Sequence, residues 1–148
     1  EERLQKVLRN YAMEYITSIV PETIRVLGPE EGGHLAGAAA RLVGMHTFDD
    51  VAAMLGGVET GAAGFARAFA RLSQAQDDDA QLRLEGPCAS VTQTSWRLMT
   101  EREALSPAVF DAWNELWVGA ALAHDRFMRI DVTERRDRGD AHWAWQFR

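Results

Sequence analysis

Cysteine is nearly missing: Cys88 stands alone in 148 residues. An internal disulfide is excluded, and a cytoplasmic setting is the expectation. Positive charge is also short. Sixteen Lys and Arg stand against 22 Asp and Glu, a net charge of −6. That disfavours a nucleic-acid partner, which asks for a basic face, and docking on anionic lipid. No apolar run approaches the roughly 20 residues of a membrane span. The opening "EERLQKVLRN" is a charged helical pattern, not a signal peptide.

Catalytic signatures are scarce as well. There is no GxSxG elbow. The glycines of "GGVETGAAG" (56–64) lie between helical segments and not after a strand, so they lack the setting of a phosphate loop. His34, His46, His124 and His142 share no short metal-ligand spacing. A site gathered from His46, His124 and His142 would need distant positions to converge, so no metal and no cofactor are expected. Asp77, Asp78 and Asp79 are read as part of a solvated linker, since adjacent like charges repel. Cys88, after Gly86-Pro87 in a turn, is read as an inert thiol before it is read as a nucleophile.

What is present describes a globular chain: 47% hydrophobic and 26% charged residues. One domain over 1–148 is expected, with a helical half (1–76) and a half built of strands and a long helix (80–148). Leu4, Val7, Leu8, Tyr11 and Tyr15 recur at helical spacing. Pro21 predicts a kink or restart. Gly28 suits a helix end and Pro29 the first turn of the next, with Glu30 and Glu31 at its positive end. "LAGAAARLVG" is a small-residue helix built for close packing. Thr47, with Asp49 and Asp50 behind it, predicts a new helix start. Gly56-Gly57 ends that helix, and Phe65, Phe69 and Leu72 form the stripe of another.

After residue 80 the period changes from 3.6 to 2. "QLRLEG" and "SVTQTSW" read as strands. Ser106 caps a helix with Pro107 in its first position, running to about His124. "FMRIDVTERR" alternates as a third strand. Gly139 sits where a turn needs positive φ. "HWAWQFR" is a fourth strand, with Trp143, Trp145 and Phe147 on one face. The expected fold is α+β: N-terminal helices packed with a four-stranded antiparallel sheet in strand–strand–helix–strand–strand order.

Trp113, Trp117, Ala121 and His124 fall on one stripe of the long helix. The apolar strand faces are their natural partners, as core or as the wall of a pocket. The opposite sheet face carries Gln93, Ser95, Arg129, Asp131, Thr133, His142 and Gln146, either a wet face or a polar pocket floor. The site expectation is an aromatic-lined pocket. Trp113, Trp117, Arg129, Trp143 and Trp145 would hold a small-molecule ligand, and His124, Asp131 and His142 would move protons.

Two stretches carry a family resemblance. "VTQTSWRLM" and "VFDAWNELWVGAALAHDRFMRIDVTERRDRGDAHWAWQFR" resemble the C-terminal half of the L-2-amino-thiazoline-4-carboxylic acid hydrolase-like family. They are more distantly similar to four-vinyl-reductase-type ligand-binding domains. Gly139-Asp140 matches the "GD" turn of their last hairpin. Cysteines are frequent in and beside the strands of the first family. This chain has only Cys88, and Ala141-His142-Trp143 in the last hairpin, so no catalytic residue carries over. The expectation is a small hydrolase or lyase acting on a compact organic substrate, cyclic ones included. The alternatives are a non-catalytic ligand-binding or sensory module, and an interaction protein whose helices form a homodimer.

Overall fold

A computed structural model describes residues 2–99 and 103–148. Three helices come first: α1 (Glu2–Leu27), α2 (Pro29–Met54) and α3 (Gly61–Ala75). Strands β1 (Ala80–Glu85) and β2 (Cys88–Gln93) follow, then α4 (Pro107–His124), then β3 (Ile130–Glu134) and β4 (Trp143–Phe147). All neighbouring strands are antiparallel, in the spatial order β1-β2-β4-β3. The two hairpins meet in the middle, where Val91 lies opposite Trp145 and Gln93 opposite Trp143. The α+β expectation holds. The turn signals hold with it: Gly139 has φ 97°, and Asp140 Oδ2 accepts from the Arg135 amide at 2.7 Å.

Alternation along the strands decides which sheet face is covered. Ala89, Val91, Trp143, Trp145 and Phe147 are all buried. Phe65 and Phe69 of α3 reach them, with Phe69 5.2 Å from Trp145 between ring centres. Phe110 of α4 also stacks on Trp145, and the Trp145 indole N–H donates to Asn114 Oδ1 at 2.9 Å. The helices therefore cover the apolar face. Gln93 is a correction. It shares the inward face with Ala89 and Val91 and is fully buried; its amide has no partner among the described residues. Trp96 lies beyond the end of β2 and packs edge-on against Trp143, Trp145 and Phe110.

Helix α2 runs unbroken from Pro29 to Met54, so no helix starts at Thr47. The Thr47 hydroxyl donates to the Val43 carbonyl at 2.8 Å inside it. Packing overrides the capping signal, because Ala36, Ala40, Gly44 and Phe48 form one continuous buried stripe, each four residues from the last. The small residues bring α2 and α4 together closely. A Cβ built on Gly44 would collide with the Leu116 carbonyl oxygen, and one on Gly119 with that of Arg41. Arg41 Nε also donates to Glu115 across this contact. Pro21 likewise lies inside an uninterrupted α1.

The "QAQDDDAQ" stretch is an anchored turn where a solvated linker was expected. Asp79 Oδ2 accepts from Thr94 Oγ1 at 2.6 Å, and Asp78 Oδ1 accepts from the Arg97 amide at 2.7 Å. Cys88 begins β2 and is half-buried.

Candidate functional site

Helix α1 packs against α2, and between α1, α2, α3 and α4 lies a cavity of about 520 Å³. Its origin is compositional. Ala36, Ala39 and Ala40 on α2 and Ala68 on α3 contribute only methyl groups to its wall. Trp113 and Trp117 form its floor; Trp117 is stacked on Phe69 at 3.7 Å between ring centres. Ile16, Ile19, Leu35 and Val43 stand at its rim and are each at least 43% exposed. Thr23, Thr47 and Gln76 are its polar side chains among the described residues, and no titratable group lines it. Such a wall can bind aliphatic matter. Among the described residues it offers no titratable acid or base.

The expected proton-transfer residues lie elsewhere and apart. His124, at the C-terminal end of α4, packs its ring against Phe48 and Phe65 at 5.4 and 5.6 Å, and its Nε2 is buried without a partner among the described residues. Asp131 pairs with Arg148 at 2.9 Å. His142 pairs with Glu134. Of the expected binding residues, Trp113 and Trp117 reach the cavity. Trp143 and Trp145 are core, and Arg129 is exposed beside the Arg148 backbone. His46 is exposed on α2, and no group of three metal-ligating side chains gathers among the described residues.

Two features escaped the sequence reading. One is a buried ion cluster. Arg135 Nε and Nη2 donate to the two Asp137 carboxylate oxygens at 2.9 Å each, Nη1 donates to Asp111 at 2.7 Å, and the guanidinium lies 4.2 Å from the Phe110 ring centre. An arginine followed two residues later by an aspartate in a turn is too common a pattern to have signalled it. The other is Asp78, 7% exposed, with Oδ2 unpartnered among the described residues. Burial pushes its carboxyl up to about 6, against the opposing pull of the Arg97 amide.

A raised carboxyl pKa means that folding disfavours the charged form. Asp78 therefore weakens the fold progressively as pH rises from its unfolded value near 3.8 to about 6, and the penalty is constant above that. Asp78→Asn keeps an oxygen for the Arg97 amide. Its stability relative to the parent should climb between pH 4 and pH 6 and then level off, as read by urea midpoints. A flat difference across that window would remove the account.

No family model matches the chain, and no curated protein sequence matches it. Its fold resembles the crystal structure of a trafficking protein particle complex subunit 3 from Naegleria fowleri covalently bound to palmitic acid. The TM-score is 0.64 at 12% identity, over 97% of this chain and 95% of that one. This corrects the expectation of a hydrolase or lyase acting on a compact organic substrate. A neighbour whose fold matches 97% of the chain is a subunit of a trafficking complex, and the helix cavity, lined by aliphatic and aromatic side chains, holds no titratable group among the described residues. No helix of the described residues is long and apolar enough to cross a membrane.

Proposed function

We propose that this chain is a non-catalytic interaction module that binds a partner protein through its outer helices. The observation that carries the reading is the surface of α1. Leu4, Val7, Leu8, Tyr11 and Tyr15 are each at least 57% exposed, and Ile16 and Ile19 continue the apolar surface to the cavity rim. An apolar patch of this extent marks an interaction surface. A place among the subunits of a larger assembly, as for the trafficking-complex neighbour, fits it, and so does a cytoplasmic location for a chain with one cysteine.

The test is site-specific photo-crosslinking in the source cells, with a benzoylphenylalanine at Ser18 on α1 or at Gln146 on the open sheet face. Protein adducts from position 18 and none from 146 are expected. Adducts from 146 alone, or from neither, would overturn the reading.

The cavity favours a companion reading. Its apolar wall suits an alkyl chain, and the neighbour carries palmitic acid. Attachment here would be non-covalent, because Cys88 lies on β2 and does not line the cavity. Native mass spectrometry of the purified chain incubated with palmitic acid should show a 1:1 complex that organic solvent removes. Ala68→Trp, which fills the cavity, should abolish it. Equal binding by that variant, or none by the parent, would sink the idea.

A further inference from the structure

The outer face of α1 is built to meet itself, and we propose that the partner it takes is a second copy of this chain, its α1 lying antiparallel to the first. The inference rests on the helix-mediated reading above and names its partner. Helix α1 carries two apolar stripes. Met13, Thr17, Val20 and Ile24 are half-buried or buried in the fold, while Leu4, Leu8, Tyr11 and Tyr15 recur at four, three and four residues on the far side. Those four are 58–72% exposed.

Nothing within the described fold covers the second stripe, and its pattern is self-complementary. Two copies related by a twofold axis midway between Leu8 and Tyr11 place Leu4 opposite Tyr15 and Leu8 opposite Tyr11, twice each. Every layer sets an aliphatic side chain against an aromatic one, and each pairing occurs in both directions, as in an isologous contact. Charge agrees with that direction. Arg3 and Glu14 are eleven residues apart, about three helical turns, so they lie on the same flank of the stripe. In an antiparallel pair like flanks meet, and each Arg3 approaches the other copy's Glu14. A parallel pair would set the two flanks on opposite sides. The stripe with Val7 offers on the order of 600 Å² per copy, about three quarters of the roughly 800 Å² per partner of a standard interface.

Sedimentation velocity on the 148-residue chain tests this. The parent should dimerise. Leu8→Glu, at a position 58% exposed in the monomer and outside its core, should weaken the dimer at least tenfold. Arg3→Glu and Glu14→Arg should each weaken it about threefold or more, and the two together should restore it. A parent that stays monomeric up to roughly 100 µM, or a double variant no better than the singles, overturns the antiparallel self-pairing. The adduct from position 18 separates the two readings. A mass of two chains supports self-pairing. A mass of one chain plus a different protein overturns it and leaves the helix-mediated function standing. No adduct from α1 ends both.

Discussion

Gly44→Ala should lower the stability of this chain by about 2–4 kcal/mol, although alanine is the better helix former by about 1 kcal/mol. The reason is a contact between backbones. A Cβ at position 44 would collide with the Leu116 carbonyl oxygen and lie 2.9 Å from the Ala120 nitrogen. Neither group is the movable end of a side chain, so α2 and α4 must separate along their length. Separation lengthens the Arg41–Glu115 pair and loosens Trp117 on Phe69, which also disturbs the cavity floor. Gly33→Ala is the internal comparison. A Cβ there meets only the Ala108 Cβ at 4.0 Å, so the propensity gain is free to appear and stability should hold or rise slightly. Thermal melts of the two variants should move in opposite directions, the first by roughly 10 °C downward. Equal shifts would show that the α2–α4 contact is not the close one described.

Arg135→Ala should cost about 3–5 kcal/mol, the range for removing one partner from a buried ion pair. The Asp137 carboxylate is 4% exposed and receives both of its side-chain bonds described here from Arg135. Without the guanidinium it is a buried charge with no cation. The same change removes the cation lying on Phe110 and the link from the β3–β4 turn to α4. Asp111→Ala breaks the neighbouring pair from its exposed end, where Asp111 is 63% accessible, and should cost no more than about 1 kcal/mol. Pairing Arg135→Met with Asp137→Asn should recover much of the loss, since no unpaired charge remains. Urea titration of the three variants checks the order. A mild Arg135→Ala would mean that the charge on Asp137 is relieved by solvent.

The elements most legible in the sequence are those whose signals are local. Ser106-Pro107 marks the start of α4, and Ser106 Oγ accepts from the Val109 amide at 3.4 Å. Alternation marks β4, where Trp143, Trp145 and Phe147 are covered, and β3, where Ile130 and Val132 pack against the core; β1 alternates as well, although only its Ala80 is buried. The readings that failed needed knowledge of a neighbour. Thr47 looks like a cap until Gly44 and Phe48 are seen to share one buried stripe with Ala40. Gln93 looks like a polar-face residue until β2 is seen to turn residues 89, 91 and 93 inward. His124, Asp131 and His142 looked like a proton-transfer set because separate elements were imagined to converge; Arg148, Glu134 and the Phe48–Phe65 rings hold them in three different places.

The sequence by itself determined the kinds of element, most of their ends, and which strand faces and helix stripes are apolar. It did so because period and capping act over a few residues. The tertiary structure alone decided what covers each apolar face. Glycines at 44 and 119 let two backbones touch, alanines at 36, 39, 40 and 68 left a cavity beside them, and the outer stripe of α1 was left uncovered. Periodicity says that a surface is apolar. Only the arrangement of the other elements says whether it meets the core, a cavity or another molecule.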